Sequence, residues 1–88
     1  MDFEWDPNKA KSNESKHNVS FQEACEVFSD NLSSSVNDPD HSIGEDRYLI
    51  FGKSNNEKYL VVSYTERNDK FRIISARQMT PNERRAYE

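Results

Sequence analysis

The sequence predicts an α+β fold: two N-terminal helices, an antiparallel β-meander of three to four strands, a short N-terminal strand and a short C-terminal helix. Three observations carry this reading. Helix-start chemistry appears at Asp6-Pro7, Ser20-Phe21-Gln22-Glu23 and Thr80-Pro81-Asn82-Glu83. Apolar residues between 21 and 28 repeat at helical spacing, and after residue 46 three runs rich in aromatic and β-branched residues follow one another across short polar turns.

In chain order, Phe3-Glu4-Trp5 alternates apolar, acidic, apolar, as a short edge strand does. Asp6 then stands as a capping residue before Pro7 at the first helical position, and the helix it opens runs to about His17. Asn18 tolerates the left-handed backbone of a helix stop. This helix has little apolar content and is expected at the surface. Ser20 and Glu23 read as a capping box for a second helix, whose Phe21, Ala24, Cys25, Val27 and Phe28 fall on one buried face and which ends near Asp30. A short strand is expected over residues 32–36, and Asn37-Asp38-Pro39-Asp40 is turn chemistry. Strands follow over residues 47–52, 58–67 and 70–77, joined by turns at residues 54–57 and at Asn68-Asp69. The box at Thr80 opens the last helix, which carries Arg84, Arg85 and Tyr87.

A chain of 88 residues supports one domain, residues 1–88, with a thin core. Its hydrophobic share of 33%, charged share of 32% and mean hydropathy of -1.08 lie near the polar edge of what folds alone, and a partner that completes the core fits this composition. No apolar run approaches the roughly 20 residues that span a bilayer, and the N-terminus has no basic segment followed by an apolar one. The single cysteine, Cys25, has no intramolecular disulfide partner and sits in the apolar helix pattern, as expected of a buried residue in a reducing cytoplasm.

The net charge of -4 is unevenly spread. Residues 1–65 hold six basic and twelve acidic side chains, a net -6, whereas residues 66–88 hold six and four, a net +2. The basic portion is mostly arginine, whose planar fork matches phosphate bidentately, so it can bind an anion even on an acidic protein. Arginines decorating a solvated edge are the plainer alternative.

With Asn68-Asp69 as a two-residue turn, Thr65 should face Arg72 and Leu60 should face Arg77. One sheet face then carries Leu60, Val62, Tyr64, Phe71 and Ile73 against the Phe21 helix. The other carries Ser63, Thr65, Arg67, Arg72 and Ile74, joined by Arg47. Arginines and hydroxyls on one face form a cradle for RNA phosphates and can stabilise the added charge of a pentacoordinate transition state. Arg77 is expected about 23 Å along the strand from Arg67, at about 3.3 Å per residue, so it anchors the C-terminal helix or binds a different nucleotide.

Glu66 is a candidate general base for a ribose 2′-hydroxyl, although this register points it to the opposite face unless a bulge turns it. His17, beside Lys16, and His41 carry the imidazoles that titrate near neutrality. Tyr87 stacks on a base, donates a proton or packs its helix. The catalytic candidates are thus Arg67, Arg72, Arg77, Glu66 and His17, and the RNA-binding candidates Lys16, Arg47, Thr65, His41 and Tyr87. The histidines and Cys25 lack zinc-site spacing, no carboxylate pair suggests magnesium, and no glycine-rich phosphate loop is present. Neither a metal nor a cofactor is expected.

Five blocks carry a family resemblance: Phe3-Glu4-Trp5-Asp6-Pro7 with Lys9-Ala10; Lys16-His17 with Val19-Ser20-Phe21 and Glu23-Ala24; Asp38-Pro39-Asp40-His41-Ser42; Tyr64-Thr65-Glu66-Arg67 leading to Arg72-Ile73-Ile74-Ser75-Ala76-Arg77; and Glu83-Arg84-Arg85 with Tyr87-Glu88. In these the chain resembles the BrnT family, toxins of bacterial type II toxin–antitoxin modules. It departs at Asn18, where the family usually has glycine, a change that keeps the left-handed geometry available. The resemblance implies a RelE-like fold, an RNA-cleaving activity that stops translation, and neutralisation by a BrnA-type antitoxin with a ribbon-helix-helix part. It also implies contact with operator DNA only through that antitoxin. The reading from a different class is a non-catalytic module whose arginine-bearing sheet docks a protein partner.

Overall fold

The computed structural model describes residues 2–38, 40 and 44–88. The elements are β1 (Asp2–Glu4), α1 (Pro7–His17), α2 (Phe21–Glu26) continued by a 3-10 turn (Val27–Ser29), β2 (Ser34–Asn37), β3 (Tyr48–Lys53), β4 (Tyr59–Arg67), β5 (Lys70–Gln78) and α3 (Pro81–Tyr87). Among the described residues no helix is long and apolar enough to cross a membrane.

Local chemistry sets the helix ends. The Asp6 carboxylate accepts from the Asn8 amide ahead of α1, and Asn18 closes that helix at φ 57°, ψ 36° with its N–H on the Glu14 carbonyl. At α3 both halves of the capping box form: Thr80 Oγ1 accepts from the Glu83 amide and Glu83 accepts from the Thr80 amide. At α2 only the serine half forms, and the Glu23 carboxylate instead accepts from Ser54 Oγ at 3.0 Å and pairs with Lys58 at 3.5 Å. The expected continuous helix to Asp30 tightens after Glu26, where the 3-10 turn brings Val27 over β3. Gly52 permits that approach, because a β-carbon there would stand 2.7 Å from Val27 Cγ1.

The five strands run in the order β1-β5-β4-β3-β2. Three antiparallel pairings form the expected meander, but β1 joins β5 in parallel, so the sheet is mixed rather than antiparallel throughout. The turn at Asn68 and Asp69 has φ 51° and 65°, as a type I′ hairpin turn requires, and it sets Thr65 opposite Arg72 as the sequence predicts.

The register then departs from expectation. Between Ser63 and Tyr64 the ladder shifts by one residue: Tyr64 faces Ile73, Ser63 faces Ser75, and Arg77 lies opposite Val61 instead of Leu60. Ile74 is the extra residue of a β-bulge. From that point onward every β5 side chain changes face relative to simple alternation. Ala76 enters the core, and Arg77 turns to the open face.

The core lies between the α2 segment and one sheet face, with Val19, Phe21, Ala24 and Val27 packed on Ile50, Leu60, Val62, Ile73 and Ala76. Phe3, Phe28, Tyr64 and Phe71 extend it as a ring cluster with centroids 5.0 to 6.1 Å apart. Beyond β1 the free edge of β5 is held by α1. There the buried amide of Asn13 donates to the Ala76 carbonyl at 2.9 Å and accepts from the Ala76 N–H at 3.0 Å. The same amide also donates to the Val19 carbonyl at 3.0 Å.

Candidate functional site

The open sheet face is built from the alternate residues that the core does not take. Arg67, Thr65 and Ser63 of β4 stand beside Lys70, Arg72 and Ser75 of β5, with Leu49 of β3 on the other side. Because of the bulge, Arg77 joins them. Arg47, Leu49, Ser63, Ile74, Ser75 and Arg77, with Asp38 at the rim, line a shallow groove of about 360 Å³. Arg67 and Arg77 are six residues apart along the ladder, about 20 Å rather than the expected 23 Å.

Each of the three arginines nominated for catalysis meets a carboxylate. Arg67 binds Glu45 through two bonds of 3.1 Å, Arg72 binds Glu4 at 2.7 Å, and Arg77 grips Glu83 at 2.8 and 3.0 Å. The bond to Arg67 holds the Glu45 carboxyl below its usual range, with Arg47 and Arg72 adding to the same field. The Arg77 bond lowers Glu83 to about 2 and in return raises the Arg77 guanidinium. Arg72 and Glu4 keep about a third of their side-chain surface exposed, at 29% and 32%.

The other nominated residues separate by place. Thr65 is 1% exposed, and its hydroxyl donates to the Asp46 carbonyl at 2.6 Å, so it pins the segment before β3 instead of reaching the groove. Glu66 faces Phe71 and points away from the arginines, and the bulge lies too far down the strand to turn it. Lys16 and His17 lie on α1, where they line a groove of about 330 Å³ with Lys9, Ser12, Ile74 and Ser75. Tyr87 anchors α3: its hydroxyl donates to Asp30 and its ring stands edge-on to Tyr59 at 5.7 Å. Burial, then the Asp30 bond, pushes the Tyr87 phenol up to about 12. His41 falls outside the described residues. Cys25 is half-buried, and burial followed by the Glu26 charge pushes its thiol up to about 11, which keeps it protonated and unreactive at neutral pH.

Residues 5–83 match the family described as "Ribonuclease toxin, BrnT, of type II toxin-antitoxin system". The chain belongs to the BrnT family. No curated protein matches it. Among solved structures, the Brucella abortus ribonuclease toxin BrnT, determined at 1.1 Å resolution, is 26% identical, with a TM-score of 0.67 over 91% of this chain and 97% of that one. The open face of this BrnT-family chain also carries two carboxylates that sequence reasoning missed. Glu4 is the outward residue of the Phe3-Glu4-Trp5 alternation, a signal that was legible, whereas Glu45 lies in a connecting segment with no periodicity to reveal it.

Proposed function

We propose that this BrnT-family chain is a metal-independent endoribonuclease toxin that cleaves RNA, inhibits translation and is neutralised by a BrnA-type antitoxin. On this reading residues 1–88 form a single RelE-like toxin domain. The observation that carries the proposal is the presence of Arg67, Arg72 and Arg77 on one open sheet face, where Arg47 and Arg77 line a groove that also holds the hydroxyls of Ser63 and Ser75. Such a face can hold a sugar-phosphate strand and stabilise charge as it develops on phosphorus.

In the proposed reaction the ribose 2′-oxygen attacks the adjacent phosphorus, its proton passes to a carboxylate, and the bond to the 5′-oxygen breaks as that oxygen takes a proton from water. The products carry a 2′,3′-cyclic phosphate and a 5′-hydroxyl. Arg72 takes the phosphate. Glu4, 2.7 Å from Arg72, is better placed as the base than Glu66 on the opposite face. Exposed ion pairs are weak, so an incoming phosphate can exchange with the resident carboxylate and free it to accept the proton. The protein-partner half of the proposal is supported by β2, an edge strand whose surroundings expose Leu32 at 73% and Val36 at 47%.

The purified protein should cleave single-stranded RNA in EDTA and leave cyclic-phosphate ends, and Glu4→Gln should slow it by about 10² or more. A strict metal requirement, or 5′-phosphate products, would exclude this mechanism.

A further inference from the structure

Two grooves meet at the bulge. Ile74 and Ser75 line the arginine groove on the sheet face and also the groove beneath α1. These two residues alone are shared by the two grooves, so the extra residue of β5 is part of the saddle between them.

The α1 groove has its own charge. Lys9, Ser12 and Lys16 fall at i, i+3 and i+7 and form one stripe, with the backbone positions of the two lysines about 10 Å apart along the helix at about 1.5 Å per residue. Both lysines are exposed, and among the described residues neither has a carboxylate within ion-pair distance. Arg67, Arg72 and Arg77 differ in this respect, since each already holds a glutamate. The lysines therefore gain attraction to a phosphate without first surrendering a partner.

The groove is also preformed. Asn13, one residue from Ser12, fixes α1 to Ala76 through a donor and an acceptor bond, one residue beyond Ser75. The two walls are thereby held at a set spacing. Ser12 and Ser75 supply hydroxyls, Ile74 supplies an apolar floor, and the one ring among the lining residues is the His17 imidazole at the end of α1. This inventory suits backbone contact rather than base recognition.

We infer that the α1 groove is a second RNA subsite, in which Lys9 and Lys16 bind phosphates of a single strand that crosses the Ile74-Ser75 saddle into the arginine groove. The inference rests on the RNA-cleaving reading above and adds the path of the strand. It makes Lys9, Ser12 and Ser75 RNA-contacting residues, and it requires contact that tolerates any base sequence.

The test is binding of a short 2′-O-methylated, uncleavable single-stranded RNA, measured by fluorescence anisotropy over a range of salt concentrations. Each neutralised phosphate contributes about 0.7 to the slope of log affinity against log salt for a single strand. Lys9→Ala/Lys16→Ala should flatten that slope by about 1.4 and weaken binding at low salt by about tenfold or more. Lys9→Arg/Lys16→Arg should keep the slope, which a merely structural role for the lysines would not demand. Binding by the unaltered protein with the same slope in the double alanine variant overturns the subsite alone. Failure of the unaltered protein to bind overturns the RNA reading, and the subsite with it.

Discussion

Glu83 serves two structures at once, capping α3 through the Thr80 amide and receiving both forks of Arg77. Its carboxyl drops from 4.5 to about 2 on folding, with the Arg77 bond as the leading cause. A depressed folded-state value means that the stabilising effect is complete above the unfolded value and is lost as pH falls from about 4.5 toward 2. The pair is partly exposed, so solvent screening limits the effect to about 1 kcal/mol. Glu83→Gln should be less stable than the unaltered chain at pH 7 by about that amount, with the difference vanishing near pH 2 in denaturant titrations. At this scale the capping role of Glu83 was legible from its place three residues after Thr80. Its grip on Arg77 was not, because strict alternation turns Arg77 toward the core and only the bulge brings it out.

At the scale of elements, the joint between α1 and β5 rests on one polar side chain. The Asn13 amide occupies the backbone groups of Ala76 that a neighbouring strand would otherwise bond, and no buried side-chain nitrogen or oxygen among the described residues lacks a partner. Asn13→Ala leaves the Ala76 N–H and carbonyl and the Val19 carbonyl without these bonds, at a cost of about 2–3 kcal/mol. Denaturant unfolding should show that loss, and hydrogen exchange at the Ala76 amide should rise more than exchange in the Tyr48–Lys53 strand. Helix starts, the left-handed stop at Asn18 and the type I′ turn were readable, because each depends on a few adjacent residues. The parallel pairing of β1 and the role of Asn13 join positions more than sixty residues apart, and no local pattern records them. The bulge left a faint trace: the doubled isoleucine at 73 and 74 breaks an otherwise regular alternation. A period-two reading carried straight through that break, and so misplaced everything after it.

For the whole molecule, an acidic chain acquires an RNA-binding reading through placement rather than composition. The sheet gathers its guanidinium groups on one face, the core takes the other, and α1 adds lysines along the edge of β5. The carboxylates beside the arginines are partly exposed, and in the proposed reaction an incoming phosphate replaces them. The general character of this face was foreseen from the hairpin register. Its acid partners and its division into two grooves were not, since they depend on β1, on the segment before β3 and on the bulge.

Arg72 tests the central claim most directly, because it stands on the open face, contacts the proposed base and lies away from the core. The rate of RNA cleavage by Arg72→Ala should be compared with that of the unaltered protein in EDTA, with circular dichroism showing that the fold is kept. The account predicts a fall of about 10² or more, as for loss of a group that stabilises transition-state charge. An undiminished rate in a folded Arg72→Ala protein would contradict it.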